Sequence, residues 1–173
     1  MAISSKLQST AKPLKDDRFP GGLRTGAQYL DALRNDGRRV FVDGEEVNDV
    51  TSHPAFAEPA KTIACLFDIA CDPANANLMT YASPTSGAPV NRIWQMPDSI
   101  EALKQRRAAI ERWSEESLGY MGRTPDHVAG FFAGFAAAPQ VLSREGNEQF
   151  ADNALRIYQF LRDNDVYITY TIV

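Results

Sequence analysis

Apolar residues recur at helical spacing along most of the chain, and the breaks fall at Pro, Gly and Asn-Asp pairs. The first run follows Leu23-Arg24-Thr25-Gly26. Thr25 is a capping residue, Tyr29, Leu30 and Leu33 share a face, and Asn35-Asp36-Gly37 stops the helix. Val40, Val42, Asp43-Gly44 and Val47 predict a small hairpin. A second helix opens at Pro54, with His53 as its N-cap and Phe56, Ala60, Ile63, Ala64 and Phe67 inward. Pro59 kinks it or restarts it one turn later, and Asp72-Pro73 ends it. Residues 78–94 hold Tyr81, Ser83-Pro84, Gly87 and Pro89 and read as an irregular excursion or hairpin. Asp98 and Glu101 then form a capping-box-like start to a long helix that buries Leu103, Ile110, Trp113 and Leu118. Its solvated side carries the i,i+4 pairs Arg107–Glu111 and Arg112–Glu116, and the Arg106-Arg107 pair belongs to that side. A helix from 148 to 162 turns Phe150, Ala154, Ile157, Tyr158 and Leu161 inward, and Asn164-Asp165 stops it. Val166 to Val173 is β-branched and aromatic throughout and reads as extended.

The composition changes this picture little. With 173 residues, 44% of them hydrophobic, the chain builds one domain with a real core. Its net charge of −4 gives no reason to expect nucleic acid or an anionic membrane as partner. No segment approaches the roughly 18 apolar residues of a membrane span, and the first 20 residues lack the apolar core of a signal peptide, so a cytoplasmic protein is expected. Cys65 and Cys71, with His53 and His127, offer no metal-ligand spacing and read as a reduced pair of core thiols. His53 reads as structural. Residues 1–22 are polar with Pro13, Pro20, Gly21 and Gly22, an arm that is mobile or wraps a neighbour.

The richest stretch is Tyr120 to Pro139. Thr124 is a good N-cap, Pro125 suits the first helical position, and Asp126 suits the positive end of the dipole. Gly130 and Gly134 lie on one face, where another backbone can approach, among Phe131, Phe132 and Phe135. Each interior glycine costs a helix roughly 1 kcal/mol against alanine, so the design suits a helix buried in a larger assembly. Arg123 just before the helix and His127 in its first turn, with the free N–H groups, suit an anion or a phenol oxygen. A plain capped helix with a surface arginine explains the same residues.

Met121-Gly122-Arg123-Thr124-Pro125-Asp126, followed by a small-residue helix and Ala137-Ala138-Pro139, resembles the oxygenase components of two-component flavin-dependent aromatic monooxygenases of the 4-hydroxyphenylacetate 3-hydroxylase family. The likeness runs from about Arg24 to Val173 and takes in Thr51-Ser52-His53-Pro54-Ala55-Phe56. It implies a mainly α fold: the helical N-terminal domain of an acyl-CoA-dehydrogenase-like architecture, with small β hairpins. Residues 1–22 are then the arm, 23–165 the helical domain, and 166–173 an extended segment leading into a β domain that this chain lacks. A helical C-terminal domain forms the oligomer core in that family, and flavin binds largely beyond the N-terminal domain.

The resemblance also implies chemistry. Reduced FAD from a separate reductase activates oxygen, and a phenol is hydroxylated ortho to its hydroxyl group. Arg123 matches the family's arginine at the phenolic substrate. His127 stands where the family has a tyrosine, and Tyr170 where it has a histidine. Arg123, His127 and Tyr170 are therefore the substrate residues, and His127 the catalytic one, accepting or holding the phenol proton. Tyr170, Thr171 and Ile172 are the residues expected to pass the flavin. The exchanged residue types point to a phenol other than 4-hydroxyphenylacetate, such as a halophenol or nitrophenol. A dehydratase of the same fold needs cysteines where Leu118 and Gly122 stand. A non-catalytic helical binding or assembly domain is the reading from a different class.

Overall fold

A computed structural model describes residues 13–121, 124–143 and 146–169. The first helix, α1 (Gly26–Arg34), is set by Thr25. Its hydroxyl accepts the Gln28 N–H at 3.2 Å, and the Gln28 side chain accepts the Thr25 N–H at 2.8 Å, a reciprocal cap. Strands β1 (Val40–Val42) and β2 (Glu45–Val47) pair antiparallel, with Val40 opposite Val47. Asp43 and Gly44 both take positive φ in the two-residue turn, which suits the twist of the hairpin.

Helix α2 (Ala57–Cys71) starts three residues later than the Pro54 reading. Residues 53–56 form a turn in which the His53 carbonyl accepts from Phe56 and Ala57, both at 2.9 Å, so Phe56 and not His53 stands at the cap. His53 Nδ1 accepts the Ala55 N–H at 3.1 Å. Pro59 falls in the first turn, where no N–H is required, and neither kinks nor restarts the helix. Helix α3 (Ala76–Met79) leads into the hairpin β3 (Thr80–Ala82) and β4 (Pro89–Asn91), with Tyr81 opposite Val90, and a 3-10 turn, Arg92–Trp94, follows. Helix α4 (Ile100–Glu116) is capped by Ser99, whose hydroxyl accepts the Ala102 N–H at 3.1 Å, in place of the expected Asp98.

Two further helices follow, α5 (Asp126–Ala137) and α6 (Glu148–Asp163), with a 3-10 segment, Pro139–Leu142, between them. The main core collects Leu66 of α2, Met79, Trp94, Ala109 and Trp113 of α4, Ala129 and Ala133 of α5, and Tyr158 and Leu161 of α6. Trp113 donates its indole N–H to the Leu66 carbonyl at 3.2 Å, and the Tyr158 hydroxyl donates to the Trp94 carbonyl. A second cluster gathers Tyr29, Ala64 and Phe67.

Four inward assignments fail. Leu103 and Leu118 are 53% and 81% exposed, and Phe150 and Ile157 are 49% and 39% exposed. On α4 the buried stripe runs through Ala102, Ala109 and Trp113, so close packing turns Leu103 outward; Leu118 lies beyond the helix at positive φ. On α6 the stripe is Leu155, Tyr158, Leu161 and Arg162, rotated one position from the apolar reading. Burial of Arg162 is possible because Asp163 accepts from it at 2.8 and 3.1 Å and the Thr85 hydroxyl adds a further bond. Cys65 is exposed and so is not a core thiol, whereas Cys71 donates to the Arg24 carbonyl at 3.1 Å. No helix among the described residues is long and apolar enough to cross a membrane.

Candidate functional site

The foot of α5 is built differently from its sequence reading. The Thr124 hydroxyl donates to the Asp126 carboxylate, a charge-assisted bond, and so does not cap the N–H groups. Pro125 takes the cap position with helical backbone angles, and Asp126 is the first helical residue. His127 follows in the first turn. Its side chain is exposed and meets Phe131 one turn on, edge to face, with ring centroids 5.0 Å apart.

Arg106 of α4 anchors this foot from below. Its Nε donates to the Ile93 carbonyl at 3.0 Å and its Nη2 to the Asp126 carbonyl at 3.5 Å. The same Nη2 would lie 3.6 Å from a Cβ at Gly130. The neighbour facing position 130 is therefore the Arg106 guanidinium, at ordinary van der Waals distance, and not the backbone expected there. At Gly134 an added Cβ would meet nothing within 4 Å, and Phe131 and Phe135 are about half exposed, so among the described residues this face is open.

The second segment is held at Asp165. This residue is buried at positive φ and accepts the Arg24 N–H at 3.4 Å. Burial pushes its carboxyl up to about 6, against the opposing pull of the Arg24 backbone N–H and charge. Beyond it, Val166 and Ile168 pack on the main core and Tyr167 packs on Tyr29. Residues 166–169 carry no regular secondary structure, and Thr169 is exposed.

The two segments meet. Pro125 lines an apolar cavity together with Trp113, Ile93, Asp165, Val166 and Tyr167. The cavity has about 10 Å³ of free space, room for about one water molecule, so it is a packing seam and not a pocket for an aromatic ring. Of the residues expected at the site, His127 is the one among the described residues. Arg123, Tyr170, Thr171 and Ile172 lie outside the described residues. Sequence reasoning missed Arg106 and Asp165. Nothing in the sequence marks Arg106 off from Arg107, whereas an Asn-Asp helix stop before a buried segment was the signal for Asp165.

A sequence profile described as the N-terminal region of 4-hydroxyphenylacetate 3-hydroxylase matches residues 25–173. The chain is 34% identical over 150 residues to a 4-hydroxyphenylacetate 3-monooxygenase oxygenase component of Geobacillus sp. (strain PA-9), covering 87% of this chain and 30% of that protein. It is 33% identical over 169 residues to the oxygenase component of a 4-nitrophenol 2-monooxygenase from Rhodococcus sp., covering 95% of this chain and 31% of that one. The crystal structure of a 4-hydroxyphenylacetate 3-monooxygenase oxygenase component complexed with FAD and 4-hydroxyphenylacetate superposes with a TM-score of 0.74 at 34% identity, over 82% of this chain and 28% of that one. The chain thus spans about 30% of the length of these relatives.

Proposed function

Because the chain belongs to the 4-hydroxyphenylacetate 3-hydroxylase family, we propose that it forms the substrate-binding N-terminal domain of a reduced-FAD-dependent aromatic monooxygenase. The reaction is ortho-hydroxylation of a phenol, with a separate flavin reductase as partner, in a cytoplasmic homo-oligomer. The observation that carries this reading is the meeting of Pro125 with Asp165–Tyr167 across one seam. Segments 40 residues apart, each bearing a substrate residue in the family pattern, are tied to the same core.

The chain's own residues have separate tasks. Arg123 binds the phenol oxygen through charge-assisted hydrogen bonds and favours its phenolate form. His127, in the first turn of α5, accepts the phenol proton. Tyr170 orients the ring from the other segment. Arg106 and Asp126 position the foot of α5, and Asp165 positions the second segment. FAD, when bound, supplies the activation of oxygen from which one atom enters the ring and the other leaves as water. Tyr170, Thr171 and Ile172 are the residues that would meet it. Val166 and Ile168 anchor the residues that lead to them on the main core.

The test is ligand titration followed by tryptophan fluorescence, since Trp113 lines the seam beside Pro125. A phenol should bind more tightly than the same ring without its hydroxyl. Arg123→Ala should weaken phenol binding about ten- to a hundredfold, and Arg123→Lys should recover part of the loss. Equal affinity for the two ligands, or an unchanged Arg123→Ala variant, refutes the reading. The likeness to a 4-nitrophenol 2-monooxygenase over 95% of the chain supports nitrophenol as the second reading. Competition between 4-nitrophenol and 4-hydroxyphenylacetate decides between them.

A further inference from the structure

Residues 22–26 form a strap that is fixed at both ends. The Gly22 N–H donates to the Asp163 carbonyl at 2.7 Å and the Arg24 N–H to the Asp165 carboxylate. Cys71 donates to the Arg24 carbonyl, and the Gly26 N–H donates to Asp68 at 2.7 Å. The strap aims the Arg24 guanidinium between two rings, 5.4 Å from the centroid of Phe19 and 5.5 Å from that of Phe67. Arg24 is half-buried, and burial lowers the affinity of its guanidinium for its proton. Arg18, Arg34, Arg38 and Arg39 each have a carboxylate within 4 Å; among the described residues Arg24 has none. Stacking on two rings stabilises the charge but leaves its in-plane N–H donors unserved. A rigid, partly dehydrated guanidinium with free donors is pre-organised for an oxyanion.

The space in front of it suits a ligand. A groove of about 450 Å³ lies between α1 and residues 166–169, within the usual range for small-molecule sites. Phe19, Leu33 and Tyr167 give it apolar walls, and Arg18 and Arg38 stand at its rim. Asp36 also lines the groove, but its carboxylate is held by Arg38, and Asp16 is held by Arg18. Asp165, behind the strap, attracts the Arg24 guanidinium from beyond ion-pair distance, so among the described residues Arg24 is the one cation lining the groove without a carboxylate in contact. We propose that this groove binds an aromatic oxyanion, a carboxylate or phosphate carried on a flat ring, with Arg24 as the principal contact. The groove shares Val166 and Tyr167 with the seam beside Pro125, but its charged contact, Arg24, is not one of the residues assigned to the phenol.

Calorimetric titration of the chain with phenyl phosphate, phenylacetate and neutral 2-phenylethanol tests this. Both anions should bind, and the neutral analogue should bind at least about tenfold more weakly; the tighter of the two anions identifies the group. Arg24→Gln should weaken anion binding about ten- to a hundredfold, and Arg38→Gln about two- to fivefold through a solvated charge. Arg123→Ala should leave this binding unchanged, which separates the groove from the phenol site. Equal binding of the neutral analogue, no binding of either anion at millimolar concentration, or an unaffected, folded Arg24→Gln variant overturns the proposal. Should Arg24→Gln lose its fold, the Arg38→Gln variant and weakening of binding by added salt decide: no change in either overturns it.

Discussion

Asp165→Asn should make the protein more stable at neutral pH, and the gain should vanish in acid. The carboxyl is buried, and its pKa is raised from 3.8 to about 6, first by burial. A carboxyl raised on folding contributes stability that is fully present below the unfolded value, near pH 4, and is lost as pH rises through about 6. A shift of about 2 units is worth about 3 kcal/mol, of which about 2 should be lost between about pH 4.5 and about pH 7.5. Asparagine tolerates the positive φ of this position and still accepts the Arg24 N–H. Asparagine does not titrate, so the pH dependence of the difference between the two proteins reports the ionisation of Asp165. Urea unfolding followed by the fluorescence of Trp94 and Trp113, both 2% exposed, gives the measurement. If the stability curves of the two proteins run parallel from about pH 4.5 to about pH 7.5, the buried carboxyl is not ionising at a cost and the reasoning is wrong.

Three further outcomes are expected. Gly26→Ala places a Cβ 2.5 Å from the Ala64 carbonyl oxygen and 2.6 Å from the Asp68 carboxylate, and should cost about 1–3 kcal/mol in urea unfolding. Arg92→Met leaves the carbonyls of Asn77, Leu78 and Thr80 without their buried donor and should cost at least about 3 kcal/mol, whereas Arg107→Met on the solvated face should cost under about 1. Arg106→Leu should loosen the start of α5, read as faster amide exchange at Val128 and Ala129, while exchange in α1 stays unchanged.

The parts of the fold legible in the sequence are those decided by local chemistry. Thr25 with Gln28, and Asp43 with Gly44, act on neighbours a few residues away, so the type of residue is enough to place the cap and the turn. The inward faces of α4 and α6 were misread because apolar character alone does not choose the stripe. Ala102 and Ala109 carry the buried stripe of α4 while the larger Leu103 stays exposed. Arg162 takes a core position because partners 77 and one residue away satisfy it. Neither choice is written in the helix that makes it.

The same distinction governs the site. The motif around Thr124-Pro125-Asp126 located a helix start within one residue, but a further contact to its first residue comes from Arg106, 20 residues earlier. Arg106 and Arg107 look alike in the sequence. One is spent on the carbonyls of Ile93 and Asp126, and the other on an exposed pair with Glu111. What separates them is 100° of helix rotation, which turns the first toward the carbonyls of Ile93 and Asp126. A guanidinium therefore gains a role here through the carbonyls, rings or carboxylates that fold around it. By that measure Arg92, Arg106 and Arg162 are structural, because their donors are spent inside the domain. Arg24 differs in that, among the described residues, its backbone is fixed while its side-chain donors are not, which is the arrangement the proposed ligand would complete.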